Sequence, residues 1–204
     1  PIFFQTRIFE EALLNKAISY KIVGGLKFYD RTEIKDIIAY LRIIYSQSDN
    51  LALERIINTP KRGVGPITFQ EIVTTSKNNN IPFFATIQNK IAAHEFSAKT
   101  RAELDKLVTL LTEAQALRDT KSLLELAQYI IINSGYKEML TSSKDPRAET
   151  KLENLQEFYT ALEEFQNLEQ FLEHISLINE STHIENNSLI NIMTLHSAKG
   201  LEFE

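Results

Sequence analysis

Residues 32–45 read TEIKDIIAYLRIIY and carry a strong helical pattern. Apolar residues recur there every three or four positions, which places them on one face of an α-helix. They are Ile34, Ile37, Ile38, Leu41 and Ile44. The sequence therefore predicts an amphipathic helix whose apolar face packs against neighbouring elements.

The segments on either side are also predicted to be mostly helical. Helical spacing or helix-start signals occur at 6–16, 51–57, 67–76, 82–92, 98–118, 122–133, 135–140, 148–165 and 168–178. Within 148–165 an apolar stripe is typical of a core-facing helix, not of a cofactor site; it comprises Leu152, Leu155, Phe158, Tyr159, Leu162 and Phe165. Strand patterns occur only near the two ends, at 20–23 and 189–195.

A single strand is not stable alone, because its backbone groups need hydrogen-bond partners. The two terminal strands are therefore expected to pair with each other or to lie close together in one sheet. This predicts a mainly α fold, with a helical domain inserted into an α/β domain of which only short strand-containing remnants are present.

Composition limits the function classes. The 204 residues are 43% hydrophobic and 24% charged, as in a globular protein with a sizeable core. The chain has no cysteine, which excludes disulfides and thiolate metal sites; this fits a reducing compartment and is also compatible with export. Its apolar runs are too short to cross a bilayer, so no membrane partner is expected. The net charge of −5 argues mildly against a dedicated nucleic-acid binder, although phosphate contacts need only a local basic patch.

The ends of the sequence also carry a prediction. The chain opens at Pro1 without an initiator methionine and stops just behind the apolar residues of GLEFE, 200–204. We expect it to be an internal piece of a longer protein.

Residues 193–203, MTLHSAKGLEF, carry the densest chemistry. A predicted strand ends there and a polar loop follows. His196 can donate to a phosphate or stack on a base, and Lys199 can contact a phosphate. Glu202 can accept a hydrogen bond from a ribose hydroxyl. For any one of these residues, a surface loop solvated by charged side chains is an equally good interpretation.

Residues 20–36, YKIVGGLKFYDRTEIKD, place Lys27 and Arg31 on either side of Phe28 and Tyr29. Basic residues interleaved with aromatic ones suit single-stranded nucleic acid, where bases stack and phosphates pair with cations. The alternative, favoured by the residues alone, is a hydrophobic staple with charges at the start of the next helix.

Residues 58–68, NTPKRGVGPIT, form a Gly-x-Gly loop that leads into a helix. Amide groups at a helix N-terminus bind anions, Lys61 and Arg62 add positive charge, and the Thr68 hydroxyl can donate. This suits duplex phosphates without sequence readout. An ordinary turn between helices is the more common origin of such a loop. Residues 96–101, FSAKTR, form a weaker analogue without glycine.

Other chemistry is not indicated. His94, His174 and His183 lie in different elements, and no set of ligands has metal-binding spacing, so no metal site is predicted. The paired carboxylates Glu10–Glu11 and Glu163–Glu164 are interpreted as solvated helix faces. The chain contains no Gly-x-x-x-x-Gly-Lys-[Ser/Thr] phosphate loop and no acidic strand-end pair for magnesium.

The string MTLHSAKGLEF resembles motif V of UvrD/Rep/PcrA-type superfamily 1 DNA helicases. The resemblance implies that His196 contacts single-stranded DNA and that Lys199 and Glu202 lie on the nucleotide side. Residues 20–36 are similar to the segment that joins the second RecA-like domain of that family to its accessory domain, which implies that Lys27 contacts single-stranded DNA.

The loop at 58–68 resembles the Gly-Ile-Gly motif of the accessory domain in that family, with Val64 in place of isoleucine. That motif grips the duplex ahead of the fork. The resemblance therefore implies duplex contacts by a set of loop residues: Lys61, Arg62, Gly63, Gly65 and Thr68.

The resemblance covers essentially the whole chain and implies three parts. Residues 1–23 and 188–204 would be remnants of the second RecA-like domain, and 24–187 the helical accessory domain. The parent would be a cytoplasmic, DNA-associated bacterial-type helicase that uses ATP and Mg²⁺, moves 3′ to 5′ and acts in repair or replication.

Its partners would be DNA, the remaining helicase domains and repair proteins. This fragment alone is expected to be catalytically inactive and to bind neither ATP nor Mg²⁺. The alternative is a stand-alone helical adaptor that binds other proteins and has no ATP chemistry.

Overall fold

The computed structural model describes residues 6–16, 18, 20–22, 27–181 and 190–193. Within these residues the chain forms ten α-helices and two short strands. In chain order they are α1 Thr6–Asn15, β1 Tyr20–Ile22, α2 Thr32–Tyr45, α3 Asn50–Ile56, α4 Pro66–Asn79, α5 Phe83–Ala92, α6 Ala98–Leu117, α7 Leu123–Asn133, α8 Tyr136–Thr141, α9 Ala148–Leu162, α10 Leu168–Ser181 and β2 Ile190–Ile192. The predicted mainly α fold is confirmed.

The two strands pair with each other in parallel, with Tyr20 opposite Ile190 and Ile22 opposite Ile192. Parallel strands need a long crossover connection, and here α2 to α10 lie in that connection. The prediction that the terminal strands share a sheet is therefore confirmed.

Helix α2 is the centre of the helical body. It packs against α3, α6, α7, α9 and α10. The predicted apolar stripe is buried, but so are Ala39, Tyr40 and Ile43 on other faces. Because other helices surround α2 on several sides, it buries residues on more than one face. The amphipathic pattern of the sequence predicted burial of a single face only. The predicted stripe of α9 also lies in or against this core.

Buried polar residues of α2 have partners on other helices. Asp36 accepts from the Tyr136 hydroxyl at 2.7 Å and from Arg55 Nε at 2.8 Å. Glu33 accepts from Asn154 Nδ2 at 2.5 Å. Because an unpaired buried carboxylate is costly, these contacts hold α3, α8 and α9 in a defined position around α2.

Helix α1 is attached to the helical body by polar contacts. Arg7 Nε donates to Glu157 Oε1 at 2.6 Å, and an Arg7 terminal nitrogen donates to Glu164 Oε1 at 2.9 Å. Glu11 accepts from the Tyr29 hydroxyl at 2.6 Å and lies 3.2 Å from His174 Nε2.

The prediction that Glu10 and Glu11 form a solvated face is wrong. Glu10 is buried, and its Oε2 accepts from the Tyr20 hydroxyl at 2.9 Å. The Phe28 amide donates to Oε1 at 3.2 Å and to Oε2 at 3.1 Å. Sequence spacing does not reveal such partners, because they come from other parts of the chain.

In the described part of the chain, no helix is both long and apolar enough to span a membrane.

Candidate nucleic-acid interface

The loop between α3 and α4 is held in shape by its own residues. Asn58 Oδ1 accepts from the Arg62 amide at 2.7 Å, which closes the loop on itself. Gly63 has a φ of +76°, a conformation that glycine adopts without strain. Gly65 is extended and immediately precedes α4. The glycines therefore serve different purposes: Gly63 makes the turn, and Gly65 leaves space beside the helix start.

The N-terminus of α4 offers free amide groups. Gly65 is the N-cap and supplies no side-chain cap, Pro66 has no N–H, and the first intrahelical bond runs from the Phe69 amide to the Gly65 carbonyl. The amides of Ile67 and Thr68 consequently have no acceptor within the helix. Ile67 is 79% exposed, and among the described residues outside its immediate chain neighbourhood, no heavy atom lies within 4 Å of the position of a Cβ on Gly65. A ligand can approach this backbone closely.

Lys61 is exposed at the mouth of the loop, whereas Arg62 is buried and only 6% exposed. The Arg62 guanidinium donates into the protein interior, to Tyr40 Oη and to backbone carbonyls. The prediction that this side chain contacts a phosphate is therefore corrected. Both terminal nitrogens of this buried guanidinium already donate to oxygens of the protein, so they are not directed at DNA.

Helix α6 begins beside the same loop. The Thr100 hydroxyl donates to the Gly63 carbonyl at 3.4 Å, and Ser97 Oγ accepts from the Thr100 amide at 3.3 Å. Lys99 is exposed next to this contact. The segment 96–101, predicted only as a weak analogue, thus lies against the Gly-x-Gly loop. Arg101 pairs with His94.

Positive charge and helix N-termini meet at this surface. Lys61 and Lys99 flank the starts of α4 and α6, where backbone dipoles favour anions. The whole chain has a net charge of −5, so this is a local basic surface on an acidic protein. Such an arrangement can hold a phosphate through backbone amides and two mobile ammonium groups.

The segment around Lys27 differs from its prediction. Phe28 is completely buried, Tyr29 is nearly so, and both rings lie in the core. The interpretation of these aromatic residues as stacking platforms for bases is wrong, and the packing alternative holds for them. The Lys27 ammonium lies 4.5 Å from the centre of the Tyr20 ring, a cation–π contact. Lys27 is half-buried and stays a predicted DNA contact.

The remaining predicted residues, His196, Lys199 and Glu202, lie outside the described residues.

Sequence reasoning missed three residues that shape the loop: Tyr40, Asn58 and Thr100. Their role depends on contacts across the fold, and only the polar character of Asn58 and Thr100 near the glycines is visible in the sequence. In the described ranges, no group of three or more histidines and carboxylates could hold a metal ion.

A helical body thus lies in the connection between two parallel strands, and a glycine loop with an exposed lysine leads into one of its helices. Comparison with known families identifies the family of this chain. The model of the UvrD-like helicase C-terminal domain matches residues 4–204, and the chain belongs to this family.

Named relatives agree with this assignment. The chain is 43% identical over 203 residues to a probable DNA helicase II homolog of Rickettsia felis, and 37% identical over 212 residues to the ATP-dependent DNA helicase PcrA of Bacillus subtilis. Each match covers 98% of this chain but only 31% and 29% of the relative. The chain thus spans about three tenths of the length of the curated relatives it matches.

Proposed function

We propose that this chain is the accessory part of an ATP-dependent DNA helicase and that it grips duplex DNA through the loop at 61–68. The observation that supports this most directly is the α4 N-terminus, where uncapped amides lie beside the exposed Lys61. Gly63, Gly65 and Thr68 supply backbone and hydroxyl donors to phosphates. Arg62 is no longer among the direct contacts.

The proposal also covers the longer protein to which this chain would belong. The parent protein unwinds DNA in the 3′ to 5′ direction in repair or replication, in the bacterial cytoplasm, with ATP and Mg²⁺ bound by its other domains. In this chain Lys27 and His196 contact the single strand, while Lys199 and Glu202 face the nucleotide. The assignments at 196–202 rest on the resemblance to motif V. Alone, the chain hydrolyses no ATP, because it carries no phosphate loop.

Geometry suggests how the loop binds. A phosphate oxygen accepts from the amides of Ile67 and Thr68, and a neighbouring phosphate pairs with the Lys61 ammonium. Neither contact reads a base edge, so binding does not depend on base sequence. Phosphate spacing is the same along any duplex, which suits a protein that must move along DNA.

The test is a fluorescence anisotropy titration of a short labelled duplex at low salt. Wild type is compared with Lys61→Ala and with Lys77→Ala. Lys77 is also exposed, but it lies in the last turn of α4, about 17 Å from the helix start. Both variants change the net charge equally. Lys61→Ala should weaken binding several-fold, and Lys77→Ala should bind like wild type.

Gly65→Val is a second, uncharged variant for the same titration. A Cβ at this position meets no heavy atom within 4 Å in the described part of the chain beyond its own neighbours, so the protein should fold normally. The added side chain should nevertheless keep a phosphate away from the backbone and weaken binding. If wild type and all three variants bind equally, the loop is only a turn, and a helical protein-binding adaptor becomes the better interpretation.

A further inference from the structure

The most constrained side chain of the loop is Arg62. Its two terminal nitrogens donate to five oxygens: Ile56 O at 2.8 Å, Ile57 O at 3.4 Å, Pro60 O at 3.3 Å, Tyr40 Oη at 2.8 Å and Ser134 O at 3.4 Å. Four of these acceptors are backbone carbonyls and one is a phenol. The guanidinium therefore brings donors to a group of buried acceptors, where a missing donor would be costly.

These acceptors come from four parts of the fold. Ile56 and Ile57 are at the C-terminal end of α3, Pro60 is in the loop, and Ser134 is the C-cap of α7. Tyr40 belongs to the central helix α2. Arg62 therefore joins the loop to three helices of the core.

Tyr40 connects the Arg62 guanidinium to Thr59, near the start of the loop. Its hydroxyl accepts from Arg62 and donates to the Thr59 carbonyl at 2.7 Å. Burial raises the pKa of Tyr40, so the hydroxyl remains protonated and available as a donor near neutral pH. The backbone amide of Arg62 is bonded to Asn58 at the same time.

We infer that Arg62 is a positioning residue, which presents the backbone of Gly63 to Thr68 to duplex phosphates without touching DNA itself. This inference rests on the proposed duplex-binding function of the loop. The chemistry of the site requires arginine, because its planar fork reaches acceptors on both sides at once. A lysine keeps the charge but has a single nitrogen, which cannot reach the acceptors that the two separate terminal nitrogens of arginine contact.

The decisive variant is Arg62→Lys, with Arg147→Lys as the matched control. Arg147 precedes α9, and its side chain is 79% exposed. A direct phosphate contact would survive the change to lysine, whereas the positioning network would not. Two measurements are made on each protein: amide hydrogen exchange of 58–65 without DNA, and duplex affinity by anisotropy.

For Arg62→Lys we expect the amides of Thr59 and residue 62 to exchange at least about tenfold faster, while amides of α9 keep their rates. Duplex affinity should fall about tenfold, which corresponds to about 1.4 kcal/mol. Arg147→Lys should match wild type in both measurements. Wild-type exchange in the loop of Arg62→Lys, or wild-type affinity for duplex, would overturn the inference.

Tyr40→Phe is a milder variant that decides the matter if Arg62→Lys does not fold. It removes one hydroxyl from the network and alters no charge. Faster loop exchange with weaker duplex binding supports positioning; unchanged values overturn it. If wild type itself binds no duplex, the proposed function fails, while the exchange rates still decide whether Arg62 holds the loop.

Discussion

Lys61 and Arg62 are neighbours in the chain but lie in opposite environments. The lysine ammonium is strongly hydrated and stays at the surface, whereas the arginine fork satisfies several buried carbonyls. Under the proposed function the two adjacent cations therefore have separate tasks: Lys61 contacts DNA, and Arg62 bonds to the protein interior.

Gly63 has a backbone conformation that favours glycine. Its φ of +76° is unfavourable for other residues, and an added Cβ would lie 3.0 Å from Thr100 Oγ1. Gly63→Ala should lower the free energy of unfolding by about 1 kcal/mol or more. Chemical denaturation of this variant measures the loss.

Gly65→Ala is the control for that measurement. Gly65 has a negative φ and open space where the Cβ would lie, so its replacement should cost less. Equal stability of Gly63→Ala and wild type would show that the turn does not need the positive φ.

At the scale of elements, the attachment of α1 depends on ionised groups. Burial alone would raise the pKa of Glu11, but His174 at 3.2 Å, the hydrogen bond from Tyr29 and the charge of Arg7 outweigh it. The pKa of Glu11 therefore lies below its ordinary value. The ionised carboxylate is the form that binds α1 to the helical body.

This shift predicts a pH dependence. Because the folded pKa is depressed, the stability contributed by Glu11 is fully present above the unfolded value of about 4.5 and is lost as the pH falls through the folded value. Glu11→Gln should lower the thermal midpoint near neutral pH, and its difference from wild type should shrink towards about pH 3.

Thermal unfolding of both proteins across this range measures the effect, and the pairwise difference removes the contribution of other carboxylates. A difference that stays constant with pH would contradict the assigned role of Glu11.

Sequence periodicity was sufficient to predict the helices and the two strands, because apolar spacing is a local property. Partners distant in the chain were not predictable. The solvated interpretation of Glu10 and Glu11 failed because Tyr20, Tyr29 and His174 approach from elsewhere. The outward interpretation of Arg62 failed for the same reason, since Tyr40 and Ser134 meet it only in the folded chain.

The glycine loop was predictable as a candidate because glycine, lysine and a following helix form a local pattern. Its placement beside Ser97 and Thr100 was not, because the start of α6 is more than thirty residues away in sequence. The local sequence motif thus identified the candidate site, and only the fold showed that the start of α6 lies against it.

At the scale of the whole molecule, we propose that an acidic chain grips duplex DNA by a small basic surface without reading sequence. A net charge of −5 provides no long-range attraction to DNA, so binding must come from the few contacts at the starts of α4 and α6. Affinity should be modest and sensitive to salt.

The most direct test is the salt dependence of duplex affinity, measured for two duplexes of equal length and unrelated sequence. The dissociation constants should agree between sequences, and the logarithm of affinity should fall with the logarithm of salt by about 0.9 per phosphate neutralised. Lys61→Ala should reduce this slope by about 0.9, and Lys77→Ala should leave it unchanged. A strong preference for one sequence, or an unchanged slope in Lys61→Ala, would contradict the account.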